Sequence, residues 1–342
     1  MCQYSAVDGD ASDWHLIHLG HLALGGAGLL VVEATAVDPV GRITPDWIGL
    51  WSDANEAALR GVLDVVRRHS PAPLAIQLAH AGRKASSRRP WDGGAQLTRA
   101  QGGWESVAPS AVPHAEGDHA PRALAADELP LLVEAFARSA ARAERLGFEA
   151  LELHAAHGYL LHEFLSPIAN RRSDAYGGPL ESRMRFPLEV VAAVRAVWPA
   201  DRPLGVRVSA TDWLDGGWDL DQTLVFAGEL QRLGVDWIDA SSGGISPLQS
   251  IPVAAGYQVP LASSIRSSSG LPTIAVGLIT EPRQAEEIVA SGQADMVALA
   301  RGMLSDPRWA WHAAAELGAT AYAPAQYWRA APAIPLGGDR RR

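Results

Sequence analysis

Cysteine and lysine are almost missing from this 342-residue chain, which holds one of each, Cys2 and Lys84. A lone thiol excludes an internal disulfide, a four-cysteine zinc site and an iron–sulfur cluster. No apolar run reaches the ~18 residues that a membrane-spanning helix needs, and no basic segment leading into an apolar stretch opens the chain. A cytoplasmic protein is therefore expected. Cations are also in deficit, with 29 Lys and Arg against 38 Asp and Glu and a formal charge of −9. That balance disfavours a nucleic-acid partner, which requires clustered basic residues. The closing Arg340, Arg341 and Arg342 read as a solvated tail. What is present in quantity is Ala, Arg, Gly and Pro, as in GC-rich bacterial genes. The hydrophobic fraction of 48% suffices for a substantial core.

Short apolar, β-branched runs alternate with helical patterns, the signature of a parallel sheet buried on both faces. Strands are expected at residues 28–35, 73–82, 150–159, 203–212, 237–244, 272–280 and 295–304. Helices are expected at 13–24, 55–69, 129–146, 182–198, 220–233, 259–267, 282–291 and 307–317. Gly147, Gly234, Gly292 and Gly318 stand where left-handed caps would end four of these helices. Seven or eight βα units without a break favour a closed α/β barrel over an open doubly wound sheet. Eight helices against seven strands leave the first strand of a (β/α)8 barrel unaccounted for, and its absence would expose strand edges at both ends of the sheet. The expected organisation is one TIM-barrel domain over 1–342, with a rim insertion at about 86–124 and a disordered tail at 333–342.

The stretch Leu151 to Leu160 carries the chemistry. In a strand Glu152 and His154 share one face, and His157 and Tyr159 follow at the rim where barrel enzymes keep their active sites. Two imidazoles with Glu152 could bind zinc or iron, or the histidines could simply cap the strand end. Placement at the catalytic rim favours a functional reading, and no metal site is assigned. The run Gly25-Gly26-Ala27-Gly28 follows a helix and precedes a strand, the wrong order for a dinucleotide loop.

Several segments together resemble the old yellow enzyme family, in its xenobiotic-reductase branch. They are Met1-Cys2-Gln3-Tyr4, Glu33-Ala34-Thr35-Ala36, Gln77 to Lys84, the His154 stretch, Phe164 to Pro167, Asn170 to Gly178, Val206 to Ser209 and Gln326 to Arg329. The resemblance implies FMN across the barrel mouth and NADPH or NADH as hydride donor. It implies that Cys2, Ala34, Gln77, Arg207, Gly277, Ala300 and Arg301 contact the cofactor, with Arg207 at the N1–C2 edge of the ring and Gly277, Ala300 and Arg301 at the phosphate. A permanently charged guanidinium suits a ring that becomes anionic on reduction. His154 and His157 would bind the oxygen of an activated alkene, Tyr159 would protonate it, and Tyr4 and Arg329 would complete the substrate site, Arg329 from a neighbouring subunit. The implied partners are an enone-type small molecule, or a nitro compound, and further copies of the chain in a homodimer or homotetramer.

Three other readings compete. A relative with an added iron–sulfur domain is excluded by the lone cysteine. A cofactor-free isomerase or aldolase barrel would need a Schiff-base lysine, a metal or a paired acid and base, and Lys84 sits in the Gly82-Arg83-Lys84 loop instead. A truncated, inactive barrel is the third.

Overall fold

The computed structural model describes residues 1–330, so the tail expected at 333–342 lies outside the described residues. Among the described residues seven parallel strands form one sheet in chain order: β1 (Leu30–Ala36), β2 (Leu74–Ala79), β3 (Ala150–Ala155), β4 (Leu204–Ser209), β5 (Trp237–Ser241), β6 (Thr273–Val276) and β7 (Met296–Ala298). Helices precede, join and follow the strands: α1 (Asp13–Ala23), α2 (Asp53–His69), α3 (Leu129–Arg145), α4 (Leu160–Leu165), α5 (Leu180–Val197), α6 (Leu220–Arg232), α7 (Val259–Ser269), α8 (Pro282–Ala290), α9 (Arg301–Ser305) and α10 (Trp309–Leu317). This is the α/β fold of a TIM-type barrel with seven strands. No strand among the described residues links β1 to β7, and Val31 and Met296 on those two edges are exposed.

Alternation along each strand sorts the side chains. Ile76, Leu78, Leu151, Leu153, Val206, Val208, Ile238 and Ala240 join the main core with the surrounding helices, as period-2 geometry requires of the helix-facing positions. The intervening positions face the barrel interior. Ala75, Ala150, Trp237 and Ile274 fill its lower end. Above them the register sets Gln77 beside Glu152 and then His154 beside Arg207 and Arg207 beside Asp239. Polar side chains are thus stacked toward the C-terminal ends of the strands.

All the strands but β1 end three to six residues earlier than the sequence pattern suggests, and two of them give way to a helix within a few residues. Residues 156–159 leave β3 because His157 and Gly158 take positive φ values of 58° and 71°, which no strand accommodates. Six wholly buried residues then form α4, too short and too evenly buried to show a helical period, although it carries His162 and Glu163. Likewise β7 stops at Ala298, and residues expected to prolong it form α9. Gly147, Gly234, Gly292 and Gly318 do take left-handed φ between 67° and 77°. Ser52 and Asp219 cap α2 and α6 by accepting the amides of Asn55 and Gln222. The rim segment 86–124 is mostly irregular, with a short parallel pair between Val107–Ala108 and Arg122–Ala123.

Gly205 on β4 lies in register with Trp237, and a Cβ added there would fall 1.9 Å from the indole. Gly205→Ala should therefore destabilise the protein by about 1–3 kcal/mol through overpacking. Denaturant unfolding checks this, and an unchanged midpoint would contradict this packing of the barrel floor.

Candidate active site

The turn after β3 brings together the three side chains that the sequence singles out. The His154 and His157 rings meet edge to face with centroids 5.1 Å apart, and Tyr159 stacks on His154 at 4.9 Å. Their hydrogen bonds run in one direction. The amide of Ala156 donates to His154 Nδ1 at 3.2 Å, so a neutral His154 carries its proton on Nε2. That nitrogen faces His157 Nδ1 at a long 3.4 Å, and His157 Nε2 lies 2.7 Å from Ser241 Oγ. Burial, reinforced by the nearby Arg207 charge, holds both imidazoles well below their ordinary pKa. Each is neutral at pH 7, with one N–H to offer. Burial likewise raises the Tyr159 phenol well above its usual value, so it keeps its proton.

Beneath the imidazoles, Arg207 Nε lies 3.3 Å from Asp239 Oδ2, an ion pair set off the line of a hydrogen bond, which leaves that buried N–H without an acceptor. Gln77 Nε2 donates to Glu152 Oε1 at 2.6 Å, and Trp237 Nε1 donates to Glu152 Oε2 at 3.3 Å. Both oxygens of Glu152 are thereby engaged away from the histidines. Among the described residues no group of three or more His, Cys, Asp or Glu side chains is arranged to hold a metal ion. Burial, helped by Asp239, raises the Glu152 carboxyl above the usual range.

The N-terminal motif is brought to the same mouth. Tyr4, at φ 48°, packs edge to face on Trp91 of the rim segment at 5.8 Å. Cys2 is half-buried, and loss of solvent together with the Glu33 carboxylate pushes its thiol up to about 12. The thiol is protonated at neutral pH, which makes it a poor nucleophile. Glu33, which neighbours Ala34 on β1, accepts the amide of Gln3 at 2.7 Å and so ties this segment to the strand. Gly277 follows β6 at φ 120°, while Ala300 and Arg301 are exposed at the start of α9. Arg329 is exposed on the turn Ala325–Ala330.

Several contributors escape sequence reasoning because their partners are distant in the chain. Lys84 Nζ donates to the carbonyls of His157 at 2.9 Å and Gly244 at 3.2 Å, and stands 5.3 Å from the centre of the Tyr159 ring. Arg83 donates to the carbonyls of Val112 and Pro113 in the rim segment and of Ile245 after β5. Ser241 and Gln258 extend the imidazole chain. A seven-stranded barrel with polar side chains gathered at the C-terminal mouth defines an enzyme.

Comparison places it within a family. The model of the NADH:flavin oxidoreductase / NADH oxidase family matches residues 1–319. An NADPH dehydrogenase of Geobacillus sp. (strain WCH70) is 45% identical over 331 residues, spanning 96% of this chain and 92% of that protein. An NADPH dehydrogenase of Listeria innocua serovar 6a is 45% identical over 332 residues, spanning 96% and 93%. Morphinone reductase in complex with tetrahydroNAD superposes with a TM-score of 0.76 at 30% identity, covering 99% of this chain and 89% of that one. The chain belongs to this NADH:flavin oxidoreductase family, that of old yellow enzyme, and is a flavin-dependent oxidoreductase that draws on a nicotinamide donor. Among the described residues no helix is long and apolar enough to cross a membrane.

Glu163 in α4 allows a pH test. Its Oε1 accepts the amide of Arg83 at 2.8 Å, and burial raises its carboxyl to about 8. A carboxyl raised on folding contributes stability that is complete below its unfolded pKa, here 4.5, and is lost as pH rises through 8. Glu163→Gln keeps the acceptor without the titration. Its melting temperature relative to wild type should therefore climb between pH 5 and pH 8, as read by thermal unfolding across buffers. A constant difference would mean that Glu163 ionises normally.

Proposed function

We propose that this enzyme is an ene-reductase that reduces the C=C bond of α,β-unsaturated carbonyl compounds, and of nitroalkenes, with NADPH as donor. The convergence of two neutral imidazoles and a protonated phenol on one turn at the barrel mouth carries this reading. The dehydrogenase names of the relatives favour NADPH over NADH.

The residues present fit FMN. Arg207 offers a permanent charge whose buried Nε has no hydrogen-bond acceptor. Gly277 leaves backbone space where a Cβ would stand 2.7 Å from Gln258 Nε2. Gln77 has a free carbonyl oxygen and a second N–H once Glu152 has taken the first. Cys2, Ala34, Gln77 and Arg207 would hold the ring, and Gly277, Ala300 and Arg301 the phosphate. Held there, FMN would supply the hydride chemistry that links the nicotinamide to the β-carbon of the alkene.

This chain's own residues do the rest. His154 lends its Nε2 proton to the substrate oxygen, a small change because its bond to His157 is long. His157 joins by turning its N–H from Ser241 to the same oxygen. Two donors fixed on the position where negative charge develops lower the barrier electrostatically. Tyr159 gives its phenolic proton to the α-carbon. Tyr4 and Trp91 close the pocket from the side of the rim segment. Exposure of Arg329 leaves it available to a second subunit in a homodimer or homotetramer.

A visible spectrum followed by anaerobic addition of NADPH and then 2-cyclohexenone tests the assignment. The expected result is a flavin band that bleaches with NADPH and returns with the enone. Tyr159→Phe should slow that return by about 10²-fold or more, as loss of a general acid does. A band that bleaches and stays bleached with every enone would defeat the substrate assignment while leaving the oxidoreductase intact.

A further inference from the structure

The turn that carries His157 and Tyr159 is held in an unfavourable backbone shape by a buried pair lying behind it. His157 is a non-glycine residue at φ 58°, followed by Gly158 at φ 71°, a conformation that persists only where the surroundings impose it. One constraint is the amide of Gly158, which donates to His162 Nδ1 at 2.9 Å. Acceptance at Nδ1 leaves the proton of a neutral imidazole on Nε2, and Nε2 lies 2.8 Å from Asp212 Oδ1, with both side chains fully buried. Asp212 is fixed in turn. Its Oδ2 accepts the Ser166 hydroxyl at 2.6 Å and the Trp218 amide at 2.7 Å. The path from the loop after β4 to the Gly158 amide thus runs through hydrogen bonds at both ends and, between Nε2 and Oδ1, through a 2.8 Å ion-pair contact set off the line of a hydrogen bond.

We propose that His162 and Asp212 form a positioning dyad that imposes the left-handed His157–Gly158 turn and so sets the Tyr159 phenol against the substrate. The proposal rests on the ene-reductase reading for its kinetic consequence, and on the turn geometry alone for its structural one. Neither residue touches the reacting atoms. The carboxylate selects the imidazole tautomer, the imidazole captures one backbone N–H, and that N–H fixes the turn. Asp212 suits this task as an anion. Burial works against its charge, yet the His162 imidazole and the two donors on Oδ2 hold its carboxyl below the ordinary value.

Two substitutions of one residue separate positioning from bulk. Asparagine at 162 places a carbonyl oxygen where Nδ1 stood and can still accept the Gly158 amide, whereas leucine cannot. In the FMN-loaded full chain, His162→Leu should slow reoxidation by 2-cyclohexenone by about 10²-fold, with reduction by NADPH changed less than about twofold, since misplacement of the donor affects only the step that uses it. His162→Asn should recover most of the lost rate. Crystals of His162→Leu should show residue 157 outside the positive-φ region, and those of His162→Asn should keep it there. If His162→Leu does not fold, Asp212→Asn, which cannot satisfy His162, Ser166 and Trp218 together, serves in its place with the same expected direction. An unaltered turn in His162→Leu overturns the proposal whatever the rates. If Tyr159→Phe reoxidises at the wild-type rate, the proton-donor assignment fails instead, and the turn geometry still decides the dyad.

Discussion

A guanidinium inside a sheet has to be neutralised where it stands, and the Arg207–Asp239 pair at 3.3 Å is the interaction around which the barrel interior is arranged. Placing one cation there fixes what can lie next to it. Register sets His154 on one side of Arg207 and Asp239 on the other. The positive field, added to burial, keeps the His154 and His157 imidazoles neutral. Glu152 sits one layer lower and is taken up by Gln77 and Trp237 rather than by the histidines. Burial and the neighbouring Asp239 charge raise the Glu152 carboxyl above the usual range against the pull of those two donors, so the interior does not accumulate uncompensated negative charge.

The alternation of apolar and polar positions made the strands legible before any coordinates, because a strand covered on both sides leaves a continuous apolar run punctuated by the few residues it shows to the interior. Their starting points needed no correction beyond a residue or two. Their ends did in six of the seven strands, which stop three to six residues short of the pattern. At 155 the run continues into the buried α4, and the turn between is decided by bonds such as Gly158 to His162, whereas at 298 it is followed by α9, which buries none of its residues. The trio His154, His157 and Tyr159 could be found because six consecutive residues, 154–159, at the end of β3 and in the turn after it carry it. Asp212, Ser241 and the carbonyl grip of Lys84 could not, since each acts on a residue at least 46 positions away.

The rim segment 86–124 is the part least determined by strand and helix periodicity, yet it is firmly attached. Arg83 grips Val112 and Pro113 and Ile245 at once, so the rim segment and the loop after β5 are both tied to the Gly82–Lys84 turn. Trp104 donates to the carbonyl of Val40 while Arg42 lies 5.0 Å over its ring. A pocket wall assembled this way is shaped by guanidinium–carbonyl ties more than by apolar packing.

The near absence of lysine has a chemical corollary at the surface. Among the described residues every ion pair uses arginine or histidine, as in Arg142 and Arg145 on Glu56 or Arg172 on Asp174. Acylating, alkylating and aldehyde reagents that seek primary amines thus find no side-chain target other than Lys84, which is clasped by two carbonyls beside the Tyr159 ring. Coupling at that one site would report directly on how often the clasp around the catalytic turn opens, turning a quirk of composition into a built-in probe of the barrel mouth.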